Sequence, residues 1–103
     1  MITINIAKNF SDTPGGRYIS QGDHSGEKFR KEILDPLFED TKSKTKIQII
    51  LDGCYGFPTS FTSEAFGGLA KKRGKDVVLK RLEFVSKDEP MLIKEILSYI
   101  KNA

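Results

Sequence analysis

The sequence predicts a single small α/β domain, with a mixed four-stranded sheet and helices mainly on one face. Short apolar runs typical of strands alternate with segments of helical periodicity, in the order β-β-α-β-α-β-α. Strand-helix-strand units favour parallel pairing with right-handed crossovers. The chain has 103 residues, enough for one hydrophobic core without disulfides. No repeat or linker divides it, so residues 1–103 are expected to form one domain.

The N-terminal segment predicts a β-hairpin. Ile2, Ile4 and Ile6 alternate with polar or small residues, which is typical of a strand with one buried face. The turn signal Thr-Pro-Gly-Gly at 13–16 is followed by a short apolar and polar alternation at 17–20. That alternation predicts a second strand, antiparallel to the first, and it is the reason the predicted sheet is mixed.

A first helix is predicted from Glu27, with Asp23 or Ser25 as its N-cap. Its apolar stripe has members four residues apart: Phe29, Ile33 and Leu37. Pro36 lies inside this run and is expected to kink the helix or split it, because proline lacks the backbone N–H.

The second half predicts two further strands and two further helices. Residues 46–52 are nearly all apolar, as in a central strand buried on both faces. The next helix follows Ser60, contains Gly67 and Gly68, and ends at Gly74 as C-cap. The two internal glycines predict a close packing contact, because glycine otherwise weakens a helix. Residues 77–85 predict a strand, and Pro90 starts the last helix.

The passage between the central strand and the second helix carries the functional signal. A glycine-containing loop ends in the hydroxyl cluster 59–63. A hydroxyl at a helix start can cap the free N–H groups, and the same position favours a negative charge. Ser60 is therefore open to three interpretations: a plain cap, a phosphate site, or the centre of a docking surface.

Two short motifs make the chain resemble a known family. They are Ser25-Gly26-Glu27-x-Phe29 and the segment Pro58-x-Ser60-Phe61-x-x-Glu64-Ala65-Phe66-Gly67. With the element order, they resemble the STAS-like family of unknown function, related in architecture to the STAS anti-sigma factor antagonists. The resemblance covers roughly residues 2–84.

The resemblance implies a phosphorylation switch. In STAS antagonists a serine at this position is phosphorylated by an anti-sigma-type kinase, and only the unmodified form binds that partner. Ser60 occupies the matching position here. The sequence departs from the antagonist motif beside it, because Thr59 stands where an aspartate is usual and Phe61-Thr62 where Gly-Leu is usual.

The sequence is therefore interpreted as a non-enzymatic regulatory domain of bacterial type, which binds a protein partner. The resemblance implies a histidine-kinase-like ATPase as that partner. The phosphorylation candidates are Ser60 and Thr59. The residues expected to bind the partner are Gly53, Tyr55, Phe57, Pro58, Thr59, Ser60, Ser63 and Glu64. One alternative is a small-ligand or nucleotide sensor that uses the same loop. Another is a nucleic-acid-associated module that uses the basic residues 71–75 and Lys80-Arg81.

Composition argues against several other classes. The net charge of +3 is mild, so nucleic-acid binding is not expected. No apolar run is long enough to span a bilayer, and no cofactor motif is present. The single cysteine, Cys54, and single histidine, His24, disfavour a zinc site and fit a reducing, cytoplasmic location. A Cys54–His24 nucleophile pair is conceivable, but no spacing in the sequence places the two residues together. Asp52, at the end of the central strand, is expected to have a structural role in orienting the N–H groups of the loop.

Overall fold

The computed structural model describes all 103 residues and contains a three-stranded parallel sheet. The strands are β1 (Ile2–Asn5), β2 (Ile47–Ile50) and β3 (Leu82–Val85). Their spatial order is β1-β2-β3, so the predicted central strand is central. The predicted four-stranded mixed sheet is corrected to three strands, all parallel.

Five helices accompany the sheet. Two of them each contain a π-helical segment, Arg30–Leu34 in one and Ser63–Gly67 in the other, and run on through it without a break. The helices are α1 (Ile6–Asn9), α2 (residues 26–37), α3 (residues 59–73), α4 (Lys75–Arg81) and α5 (Pro90–Lys101). A single 3₁₀ turn, Ile19–Gln21, lies between α1 and α2.

The predicted second strand at 17–20 is wrong. The Gln21 side chain accepts hydrogen bonds from the backbone N–H groups of Arg17 and Tyr18, at 3.0 and 3.1 Å, and this holds the chain in a turn. The carbonyl of Arg17 accepts from the N–H of Glu27 at the start of α2. The backbone groups that a hairpin would need are therefore committed locally and to α2, and Ile19 stays half exposed.

The predicted strand at 77–85 is correct only in its second half. Gly74 has φ +98°, which ends α3 as predicted and lets α4 start at once. Val78 is fully buried on α4, whereas Val77 is exposed. The next buried residue of α4 is Arg81, three positions after Val78, and this is the spacing of one face of a helix. The β-branched pair 77–78 suggested a strand, but burial of the α4 face overrides that local preference.

Pro36 does not split the first helix. The π-helical segment Arg30–Leu34 lies directly before it, and the backbone N–H of Asp35 bonds back to the carbonyl of Arg30. A π turn is wider than an α turn, so it accommodates the proline ring and the missing N–H. The helix ends one residue after the proline, at Leu37. The predicted N-cap Ser25 is confirmed, since its hydroxyl accepts from the N–H of Lys28 at 3.1 Å.

The core lies on one face of the sheet, where most of the helices pack. Rows of paired strand residues alternate between this face and the other one: Ile4, Ile49 and Phe84 form a core row, and Thr3, Gln48 and Glu83 form a row on the opposite face. The prediction that β2 is buried on both faces is therefore too strong. No helix has the length and apolar character needed to cross a membrane.

Glycines set the distance between the helices. A Cβ on Gly67 would lie 3.4 Å from the carbonyl oxygen of Tyr99 in α5, so α3 and α5 pack closely there, as predicted. A Cβ on Gly68 would lie 2.9 Å from Nε of Arg30 in α2. The tightest approach involves Gly26, where a Cβ would lie 2.4 Å from the carbonyl oxygen of Phe61. This glycine fixes the contact between the starts of α2 and α3.

Candidate functional site

Three loops meet at the carboxyl ends of the parallel strands. The N–H of Tyr55, in the loop after β2, donates to the carbonyl of Asp12, in the loop after α1, at 2.8 Å. The carboxylate of Asp52 accepts from the N–H groups of Asp88 and Lys87, in the loop after β3, at 2.9–3.0 Å. In open α/β sheets this edge is where ligands and partners usually bind.

Asp52 has the structural role that the sequence predicts for it. The N–H groups of Asp88 and then Lys87 bond to its ionised form, and they lower the pKa of this carboxyl below its usual value. The charge of Lys87 lowers the pKa further, but by less than these two directed bonds. Asp52 thus joins the loop after β2 to the loop that leads into α5.

An aromatic patch stands on this edge. The Tyr55 side chain is 85% exposed, although its backbone is tied to Asp12. The ring of Phe57 is half-buried and packs 5.9 Å, centroid to centroid, from the ring of Phe61 in the core. A shallow concavity is lined by Thr13, Pro14, Tyr55, Gly56, Phe57 and Pro58. We call these residues, together with Thr59 and Ser60, the carboxyl-edge surface.

Ser60 does not cap α3, which corrects the interpretation of this serine as a plain cap. The helix begins at Thr59, with Pro58 at the N-cap position and no side-chain cap bond. The carbonyl of Pro58 accepts from the N–H groups of Phe61 and Thr62, at 3.0 and 3.3 Å. The half-buried Ser60 hydroxyl makes no hydrogen bond within the protein, so its type is not explained by a role in stability.

The neighbouring hydroxyls differ from Ser60 in their surroundings. Thr59 is exposed at the first position of the helix. Thr62 is fully buried, and its hydroxyl donates to the carbonyl of Thr59 at 3.3 Å. Of the hydroxyl cluster, Ser60 and Thr59 are therefore the two at the carboxyl-edge surface whose side chains are uncommitted.

Gly53 opens the loop in a left-handed conformation, with φ +94°, that favours glycine. A Cβ there would lie 3.3 Å from Cβ of Ala7, so the loop also runs close to α1. Gly53 therefore shapes the loop that presents Tyr55.

The structure gives Cys54 and His24 separate partners. The Cys54 thiol donates to the carbonyl of Ser11 at 3.6 Å, and the His24 ring packs edge-on against Phe10, with centroids 5.6 Å apart. Burial, with a smaller effect from the charge of Asp12, raises the pKa of the Cys54 thiol to about 11. A thiol must ionise to act as a nucleophile, so this environment suppresses the reactivity that a nucleophile pair would need.

Cys54 is expected to react slowly with iodoacetamide. Near pH 8, a pKa of about 11 leaves only about 0.1% of the thiol ionised, against about 10% for an ordinary cysteine. Alkylation of the folded protein, followed by mass spectrometry, should be about 100-fold slower than in urea. Equal rates in the folded and unfolded protein would show that the thiol is neither buried nor shifted.

Ser63 and Glu64, predicted to bind the partner, make side-chain contacts within the protein. Arg17 contacts Ser63 at 3.4 Å, and Arg30 forms an ion pair with Glu64 at 2.9 Å. Both residues line a polar cavity of about 260 Å³ between α3 and α5, which also includes Tyr99. Neither residue lines the concavity beside Tyr55, and their predicted role in partner binding stays a prediction.

Much of the basic cluster 71–75 also serves the fold. Lys72 pairs with Asp35 at 3.2 Å, and Arg73 donates to the carbonyls of Phe38 and Asp35 at 3.3 Å. Lys75 donates to the carbonyl of Lys101 at 3.0 Å. These cations contact groups at the C-terminal ends of α2 and α5, and so hold α3 and α4 to their neighbours. No three His, Cys, Asp or Glu side chains lie close enough together to hold a metal ion.

One side of the carboxyl-edge surface has no functional signal in the sequence. Asp12, Thr13 and Pro14 contact the loop after β2, but their sequence shows only a turn signal. Pairing between two loops distant in sequence leaves no periodic pattern, so a single sequence cannot reveal it. Similarly, no local signal marked the ion pair between Arg30 and Glu64.

Comparison with protein families gives one match. The model of a family described as "STAS-like domain of unknown function (DUF4325)" matches residues 25–91. The matched residues include α2, β2, α3, α4 and β3, and with them the loop that carries Tyr55 and the start of α3 at Ser60. Comparison with curated proteins and with solved structures gives no significant match.

Proposed function

Because the chain belongs to this STAS-like family of unknown function, we propose that it is a non-enzymatic regulatory domain that binds a protein partner through its carboxyl-edge surface. The observation that carries the proposal is Tyr55, which is 85% exposed on a loop whose backbone is fixed. An exposed tyrosine offers a large apolar area and a hydroxyl, and tyrosine is enriched among the residues that dominate binding energy at interfaces.

The loop is suited to binding because it is already ordered. The bond from Tyr55 N–H to Asp12, the left-handed Gly53 and the packing of Phe57 on Phe61 all restrain it. A restrained loop loses less conformational entropy when a partner binds, so more of the contact energy contributes to affinity.

The uncommitted Ser60 hydroxyl supports a charge-gated form of this binding. A phosphate on Ser60 or Thr59 would add a charge of about −1.5 to −2. At the start of α3 the helix dipole would offset this by about 0.3–1 kcal/mol, so the domain itself would remain folded. In contact with a partner, the same charge would have to be desolvated, which costs several times more. The proposed partner, a histidine-kinase-like ATPase, follows from the resemblance to STAS antagonists.

The small-ligand alternative has less support at this surface. The concavity beside Tyr55 is shallow, and no lysine or arginine lines it. A nucleotide would find aromatic area there but no cation for its phosphates, and such sites normally supply positive charge or several convergent backbone N–H groups.

Two substitutions at Ser60 test the charge gate. Ser60→Asp is expected to fold with parent-like stability, since an acidic residue suits the helix dipole, but to weaken partner binding by at least about tenfold. Ser60→Ala is expected to change the free energy of unfolding by less than about 0.5 kcal/mol, because no cap bond is lost, and to keep parent-like affinity. The measurements are thermal melting and calorimetric titration with a purified histidine-kinase-like ATPase from the same cell.

Tyr55→Ala serves as the second variant in that titration. It removes the exposed anchor without adding charge, so it should weaken binding while leaving the melting temperature unchanged. Parent-like affinity of both Tyr55→Ala and Ser60→Asp would contradict binding at this surface. Loss of affinity in Tyr55→Ala alone would keep the surface and reject the charge gate.

A further inference from the structure

A basic cavity lies at the opposite end of the sheet from the carboxyl-edge surface. It is formed by the loop before β2 and by α4, just before β3, and has a volume of about 430 Å³. The residues that line it are Thr41, Ser43, Lys44, Lys46, Val77, Lys80 and Arg81. This basic cavity thus contains four cationic side chains and two hydroxyls, and no carboxylate lines it. The Ser43 hydroxyl donates to Oγ1 of Thr45 and accepts from Arg81, so Thr41 supplies the uncommitted hydroxyl.

Arg81 is the buried base of this cavity, with only 5% of the residue exposed. Its guanidinium donates to the carbonyls of Leu37 and Thr45, at 2.8 and 3.0 Å, and stacks over the ring of Phe38 at 4.5 Å. No carboxylate forms an ion pair with it. The Arg81 guanidinium is therefore held only by neutral acceptors, and a cation without a counter-ion attracts an anion to the adjoining space.

The lysines of the basic cavity add to this field. Lys44 and Lys80 make no ion pair, and Lys46 donates to the carbonyl of Lys80, so its charge is also uncompensated. Asp40 lines a smaller neighbouring cavity together with Arg73 and accepts a hydrogen bond from the backbone N–H of Lys42. Asp76 precedes Lys80 by four residues on α4. Neither carboxylate forms an ion pair with a cation of the basic cavity, so these cations have no direct counter-ion.

We propose that the basic cavity binds a small phosphate-bearing anion. Ammonium groups and hydroxyls are suitable donors to phosphate oxygens, and bonds from charged donors are the strongest of this kind. The volume lies within the range of small-molecule sites and leaves room for more than an inorganic phosphate. Val77 and the lysine stems supply apolar area for an organic portion. This site is independent of the proposed protein-docking function and uses none of its residues.

Calorimetric titration with three probes tests the proposal: pyrophosphate, AMP and adenosine. Pyrophosphate and AMP are expected to bind at low salt, whereas adenosine, which lacks the phosphate, is not. In amide NMR spectra, pyrophosphate should shift the signals of residues 41–46 and 77–82 and leave those of residues 53–60 in place. Affinity should fall as salt concentration rises, because the interaction is largely electrostatic.

A matched pair of double variants distinguishes the loss of this site from a general change in the net charge of the protein. Lys44→Gln combined with Lys80→Gln should weaken pyrophosphate binding by at least about tenfold. Lys8→Gln combined with Lys94→Gln removes the same charge from exposed positions elsewhere and should leave affinity parent-like. Equal losses in both double variants, absence of pyrophosphate binding, or shifts confined to residues outside the basic cavity would overturn the proposal.

Discussion

Gly26→Ala is expected to destabilise the domain by about 3 kcal/mol or more, at the upper end of what overpacking causes. The added Cβ would lie 2.4 Å from the carbonyl oxygen of Phe61 and 3.1 Å from the backbone nitrogen of Ala65. Both atoms belong to the backbone of α3, so a side-chain rotation cannot relieve the contact. The helices would have to separate, which would disturb the packing of Phe29 on Phe61 beneath them.

Gly22→Ala is the matched control for this substitution. Its backbone is extended, at φ 164°, and an added Cβ would meet no atom within 4 Å. The substitution reduces the freedom of the unfolded chain, so its effect should be neutral or slightly stabilising. Urea denaturation of both variants measures the difference. Parent-like stability of Gly26→Ala would show that the starts of α2 and α3 do not approach so closely.

Asp35→Asn is expected to cost about 3 kcal/mol, the lower end of the range for breaking a buried ion pair. Asp35 is buried, and its carboxylate lies within 3.2–3.5 Å of nitrogen atoms on Lys72, Arg30 and Arg73. Asparagine keeps the size but removes the charge, so the three cations would repel one another. The loss of stability is not expected to be larger, for two reasons. The Lys72 side chain is exposed to water, and Arg30 keeps a second ion pair, with Glu64.

Asp23→Asn removes the same charge from an exposed turn and should change stability by less than about 0.5 kcal/mol. The two variants have the same net charge, so the difference between their urea midpoints isolates the buried cluster. If Asp35→Asn unfolds at the same urea concentration as Asp23→Asn, the ion pairs that join α2 to α3 contribute nothing to stability.

The sequence predicted the elements whose signals are local. Apolar periodicity located β1, β2, α2, α3 and α5, and hydroxyl or glycine signals located the cap at Ser25 and the end of α3 at Gly74. The predicted strand at 17–20 and the first half of the predicted strand at 77–85 were wrong, because such short segments fit more than one local structure. A local contact of the Gln21 side chain decided the first, and the burial of Val78 against the core decided the second.

The candidate site was predicted only in its contiguous part. The loop 53–60 was recognisable because it joins a strand to a hydroxyl-rich helix start. The contacts that define the surface, such as Tyr55 with Asp12, join residues far apart in sequence and leave no periodic trace. The cap interpretation of Ser60, one of the three left open, was wrong for a local reason: α3 starts at Thr59, with Pro58 at the N-cap position.

Site-specific photo-crosslinking in cells that naturally produce the protein tests the central claim most directly. Benzoylphenylalanine in place of Tyr55 should give a single covalent adduct with a protein partner, identified by mass spectrometry. The same group in place of Met91, which is 68% exposed on α5, should give none. The Tyr55 adduct should be lost when Ser60→Asp is added. Adducts of equal yield from positions 55 and 91, or an adduct at 55 that survives Ser60→Asp, would contradict charge-gated docking at the carboxyl-edge surface.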